Sequence, residues 1–119
     1  MGGGASAASF GTVHGIHISE PKLDFDRLRN IYKNIQRPVV MHGGSGLSKE
    51  EYLNAINNGV RKINYYSYAA MAGGEAIRDY INQNSQTIFY HDLTVIAKEE
   101  IKNKVKHAMR IFSNQEIYK

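Results

Sequence analysis

The sequence predicts an α/β fold built on a parallel sheet. Three short apolar runs each lead into a segment of helical periodicity, giving the order βα, βα, βα, α. The connections are short, which suits right-handed crossovers between parallel strands. Two of the runs also end in glycine-rich loops carrying polar residues, so functional groups gather at the C-terminal edge of the sheet.

Taken in order, residues 1–9 (MGGGASAAS) are Gly/Ala/Ser-rich without periodicity and read as a flexible leader. The folded part is expected over residues 10–119. Phe10 to Val13 reads as a strand ending at His14-Gly15. After Pro21, Leu23, Leu28, Ile31, Tyr32 and Ile35 recur at helical spacing, and Asp24 and Asp26 suit the positive end of that helix. Pro38 to Met41 is a run of the buried-strand type, stopped by His42-Gly43-Gly44-Ser45-Gly46. Ser48 and Glu51 form a capping box for a helix from Lys49 to Asn57, which Asn58-Gly59 closes.

Val60 to Tyr66 reads as the third strand because of its β-branched and aromatic residues. A helix is expected from Ala70 to Asn82. A last one, from Leu93 to Phe112, has Val95, Ile96, Ile101, Val105, Ala108, Met109 and Phe112 as its apolar positions. A three-stranded arc cannot close on itself, and its open edges are expected to expose apolar surface and promote self-association.

Composition narrows the function classes. The 119 residues include no cysteine, which removes disulfide scaffolds, cysteine metal clusters and thiol nucleophiles. The formal charge is +4. Its densest basic group, Lys98 to Arg110, is interleaved with Glu99 and Glu100 on a predicted helix, so it reads as a solvated face and not a nucleic-acid stripe. No signal peptide or membrane span is read, and a cytoplasmic location is expected.

Three strand ends then line up: Gly11-Thr12-Val13-His14-Gly15, His42 to Gly46, and Lys62-Ile63-Asn64-Tyr65-Tyr66-Ser67. Adjacent parallel strands lie about 4.8 Å apart, so side chains at matching ends can converge. In this order the stretches, with Pro21 to Leu28, Pro38 to Gly46 and Gly59 to Asn64, resemble the C-terminal part of the class II fructose- and tagatose-bisphosphate aldolases. The resemblance covers residues 10 to 113.

That resemblance implies the last three βα units of a (β/α)8 barrel plus a C-terminal helix, from a zinc-dependent lyase of carbohydrate metabolism. His14 and His42 would be two ligands of a catalytic Zn2+. Gly15, Gly43, Gly44, Ser45, Asn64, Tyr65, Tyr66 and Ser67 would hold the phosphate and the dihydroxyacetone moiety of dihydroxyacetone phosphate. Neutral imidazole is a common zinc ligand, and glycines let backbone N–H groups approach an anion closely. Zinc would polarise the ketone and stabilise the enediolate during reversible cleavage of a ketose bisphosphate.

The acid/base aspartate and a further histidine ligand lie, in that family, in the N-terminal half of the barrel. No catalytic residue is therefore assigned here, and the chain alone is expected to be inactive. A homo-oligomer is implied for the full-length enzyme. Glu20, His17, His91 and His107 are not promoted to the site. Tyr65-Tyr66-Ser67-Tyr68 departs from the family, which has a small residue and Asp or Thr after the asparagine. Two other readings remain at this point: a non-catalytic truncated fragment, and a small phosphate-binding α/β module using the same glycine loops without metal.

Overall fold

The computed structural model describes residues 4–12 and 22–113. Its elements run β1 (Ser6–Ala7), α1 (Phe25–Ile35), β2 (Val39–Met41), α2 (Lys49–Asn57), β3 (Val60–Ile63), α3 (Ser67–Gln83) and α4 (Tyr90–Phe112). The three strands form one parallel sheet in the order β1-β2-β3. The sheet is open, as expected of part of a (β/α)8 barrel.

All three residues of β2 are buried, which is the pattern of a central parallel strand covered on both faces. Ser6 and Ala7 pair with Val39 and Val40 on one side. On the other, Val39 pairs with Val60, but Val40 pairs with Lys62, so the register slips by one residue at Arg61. The side-chain period of a strand is two, and the slip changes which β3 residues share a face. Arg61 at the extra position donates from its guanidinium to the Ile56 carbonyl at 2.6 Å and closes the end of α2.

The first strand falls upstream of the expected Phe10–Val13, inside the stretch read as a leader. Its small side chains give no strand signal; the strand exists through backbone bonds to the β2 segment, Ser6 N–H to Pro38 O at 3.0 Å and Ala8 N–H to Val40 O at 3.4 Å. Phe10 follows it and is fully buried, in a core with Leu28, Val39, Met41, Leu47, Tyr52, Ala55 and Val60. β3 is shorter than predicted, because the chain turns at Tyr65-Tyr66 and enters α3 at Ser67, three residues before the expected helix start.

Helix starts follow local chemistry. Asp24 caps α1 by accepting from the Arg27 N–H at 2.8 Å. Ser48 Oγ accepts from the Glu51 N–H while Glu51 Oε2 accepts from the Ser48 N–H at 2.7 Å, so the predicted capping box is present and α2 has the predicted bounds. Ser48→Ala should cost about 1 kcal/mol. Chemical denaturation would check it, and an unchanged midpoint would count against the box.

α3 and α4 pack closely through small residues. Ala69, Ala72 and Gly73 are buried, and a Cβ on Gly73 would stand 2.9 Å from the Ile101 side chain. The apolar positions read on α4 are not all core. Ala108 is buried, but Val95, Ile101, Val105 and Met109 are exposed. The 23-residue helix runs past the small core, and only the face toward α3 and α2 finds a partner among the described residues. No helix among them is long and apolar enough to cross a membrane.

Candidate anion-binding site

The site lies where β2 and β3 end. After Met41 the chain turns through His42, Gly43, Gly44, Ser45 and Gly46 before α2 begins at Lys49. Gly43 and Gly46 have φ of 62° and 86°, the left-handed region that favours glycine. Gly44 is buried where the loop presses on β3: a Cβ there would lie 2.8 Å from Ile63 Cγ2 and 3.0 Å from Met41 Cε. A glycine is thus required for close packing at that point.

Hydrogen bonds join the loop to the end of β3. The Asn64 N–H donates to the Met41 carbonyl at 3.0 Å, continuing the sheet pairing by one residue. The Asn64 side-chain amide donates toward the His42 ring, 3.1 Å from Nδ1 and 3.4 Å from Nε2. Its carbonyl accepts from Lys62 Nζ at 2.9 Å. Lys62, Asn64 and His42 thus make an ammonium–amide–imidazole chain along the strand ends. Ser45 is only 4% exposed, and its Oγ accepts from the Tyr66 N–H at 3.3 Å.

That last bond ties the loop to the start of α3. Tyr66 is the N-cap of α3, and no side chain caps this end. A helix start leaves backbone N–H groups without intrahelical partners, and these attract anions. At α1 and α2 a side chain takes part of that role; α3, like α4, has no side-chain cap, and its start lies beside Ser45. The tyrosines that depart from the family pattern divide. Tyr66 is 76% exposed at the helix start. Tyr65 and Tyr68 instead turn toward α4 and, with Tyr52, wall a cavity of about 240 Å³ behind the loop.

Sequence reasoning missed Tyr52, which lies within the helix read from Lys49 to Asn57 and carries no motif. Tyr52 is 3% exposed and its hydroxyl donates to the Gly44 carbonyl. Burial, with smaller help from nearby Tyr65, pushes this hydroxyl well above the ordinary tyrosine range. Burial raises Tyr65 in the same direction. No spacing rule marks such a residue, since its acceptor is a backbone atom eight positions earlier.

The expected zinc centre is corrected. Among the described residues no group of three or more His, Cys, Asp or Glu side chains could hold a metal ion. A catalytic zinc needs three protein ligands. His42 is exposed and its ring is engaged by the amide of Asn64, while His14, Gly15 and His17 lie outside the described residues. His91 and His107 lie on α4, with no such group around either. The described residues do not make up a donor set for Zn2+, so the metal-binding and zinc-dependent cleavage readings are withdrawn. Of the predicted phosphate-holding residues, Gly43, Gly44, Ser45, Asn64, Tyr66 and Ser67 come together, and Tyr65 faces the cavity behind them.

A glycine-turned strand end thus lies beside a helix start without a side-chain cap, at the C-terminal edge of an open parallel sheet. The sequence matches the family described as "Fructose-bisphosphate aldolase class-II" over residues 2–116, and the chain belongs to that family. It is therefore of class II aldolase-like enzyme lineage. A sulfofructosephosphate aldolase from Alkalicoccus urumqiensis is 35% identical over 109 residues, covering 92% of this chain and 38% of that protein. In fold, the chain is similar to the YdjI aldolase of Escherichia coli K12, with a TM-score of 0.74 and 24% identity over 91% of this chain and 38% of that one. It is also similar to a fructose-bisphosphate aldolase of Campylobacter jejuni, with a TM-score of 0.68 and 24% identity over 90% of this chain and 39% of that one. The chain thus spans about two fifths of the length of these relatives.

Proposed function

We propose that this chain is a phosphate-binding α/β unit of the class II aldolase family, and that it holds the phosphate of a small sugar phosphate such as dihydroxyacetone phosphate. The observation that carries the reading is the junction of the Gly43–Gly46 loop with the uncapped start of α3 through Ser45 and Tyr66. There the start of α3, without a side-chain cap, lies against the glycine loop, with Lys62 along the adjacent strand end.

The groups act in defined ways. The α3 N–H groups and those of the glycine loop donate to phosphate oxygens. The Ser45 hydroxyl accepts from Tyr66 and still has its own proton to donate. Asn64, fixed between Lys62 and His42, presents an amide at the strand end, where a carbonyl or hydroxyl of the ligand would lie. Binding, and not bond cleavage, is the role these residues support. A ligand of this class also agrees with the name of the Alkalicoccus relative, which specifies a phosphorylated sugar.

Titration of the 119-residue chain with inorganic phosphate and with dihydroxyacetone phosphate, followed by amide NMR, tests the proposal. Both should shift the resonances of residues 43–46 and 67–69 saturably, and added salt should weaken the effect. Glycerol should leave them in place. Ser45→Ala should weaken binding about tenfold, because it removes a donor and leaves the Tyr66 N–H without its acceptor. Phosphate that moves none of these resonances would refute the reading.

A further inference from the structure

We infer that Tyr52 is a positioning residue for the anion loop: it fixes the peptide plane between Gly44 and Ser45 so that the Ser45 N–H faces away from α2. The inference rests on the phosphate-binding reading above. It adds a residue that touches no ligand.

The geometry is as follows. Tyr52 sits in the first turn of α2, its N–H bonded to the Ser48 carbonyl at 3.1 Å. The capping box between Ser48 and Glu51 holds that turn in place. The Tyr52 ring is fixed from the other side by Phe112 at the end of α4, edge-on with centroids 4.9 Å apart and planes at 65°. With ring and backbone both held, the hydroxyl is kept beside the loop, where it donates to the Gly44 carbonyl and also meets the Leu47 backbone.

A trans peptide points its carbonyl and the next N–H in opposite directions. Anchoring the Gly44 carbonyl toward Tyr52 therefore turns the Ser45 N–H away from it. A side chain at position 44 would collide with Ile63 and Met41, so the loop lies close against β3 at this residue and only glycine fits there. Without the hydroxyl, a carbonyl in a buried residue loses this donor, and the peptide plane is free to rotate toward another. Loop orientation thus depends on α4 through Phe112 and on α2 through Tyr52. A tyrosine hydroxyl is protonated at neutral pH in any case, and burial pushes its pKa further up, so it stays a donor into alkaline solution.

The test uses the full chain and three proteins: wild type, Tyr52→Phe, and Asp24→Ala. Tyr52→Phe keeps the ring against Phe112 and removes only the hydroxyl. Asp24→Ala removes the α1 cap and lowers stability from a different element. Amide resonances of residues 43–46 are recorded without ligand, and inorganic phosphate is then titrated well below the melting temperature of each protein. Tyr52→Phe should shift and broaden the loop resonances and weaken phosphate binding about tenfold, the scale of one lost hydrogen bond to an anion. Asp24→Ala should melt lower yet keep the wild-type loop spectrum and affinity. Wild-type loop resonances and affinity in Tyr52→Phe would overturn the inference, as would equal losses in Asp24→Ala. If wild type itself binds no phosphate, the anion reading fails, and the loop resonances alone then decide for or against Tyr52.

Discussion

Phe10→Ala is expected to destabilise the fold by about 3–5 kcal/mol, the range for removing a buried aromatic ring. Phe10 is fully buried and is among the largest such side chains, with Leu28 and Met41. Its backbone matters as well: the Phe10 carbonyl accepts from the Asp24 N–H at 2.8 Å, which ties the end of the β1 segment to the cap of α1. The next residue, Gly11, has φ of 103° and passes so close to Lys22 that a Cβ would overlap the Lys22 carbonyl. The side chain therefore fills the core at the point where two sequence-distant segments cross. A small domain has roughly 5–15 kcal/mol in total, so this single truncation takes a large share of it. Urea denaturation followed by circular dichroism measures the loss. A change under about 1 kcal/mol would mean that the site collapses around the cavity and that Phe10 does not hold the crossing.

Phe10 also marks where sequence reasoning succeeds and where it stops. The stretch from β2 to α2 is legible because its signals are local. Three apolar residues stop at glycines, Ser48 and Glu51 cap each other, and α2 has the expected bounds. β1 was not legible, since Ser6 and Ala7 carry no apolar pattern and their strand geometry comes from partners more than thirty residues away. The slip at Arg61 is hidden for the same reason: nothing in Val60 to Ile63 announces an extra residue until β2 is placed beside it.

The site was read in part. Glycine, serine and asparagine at strand ends announce a loop that can approach an anion, and the resemblance supplied their order. The metal reading rested on two histidines from separate strand ends, and the grouping of further ligands is a three-dimensional property that spacing does not give. Among the described residues that grouping does not form. Tyr52 went unnoticed because an apolar-face tyrosine and a loop-anchoring tyrosine have the same periodicity; only the hydroxyl's partner separates them.

Gly46→Ala is expected to cost about 2 kcal/mol in stability and to weaken phosphate binding at least about tenfold. Two effects add at this position. Gly46 has φ of 86°, where an L side chain is strained, and its new Cβ would lie 2.7 Å from Tyr68 Cζ and Oη. Tyr68 belongs to the first turn of α3, immediately after the uncapped helix start. The backbone strain at position 46 and the displacement of the Tyr68 ring both disturb the loop next to Ser45. Gly74→Ala is the matched comparison. Gly74 lies inside α3 with no atom within 4 Å of a new Cβ, so the change should be neutral or stabilising by about 0.5–1 kcal/mol and leave binding alone. Thermal melts and phosphate titrations of both variants separate backbone strain at the loop from a general effect of replacing glycine. Wild-type affinity in Gly46→Ala would show that phosphate binding does not depend on the backbone conformation of the loop at this position.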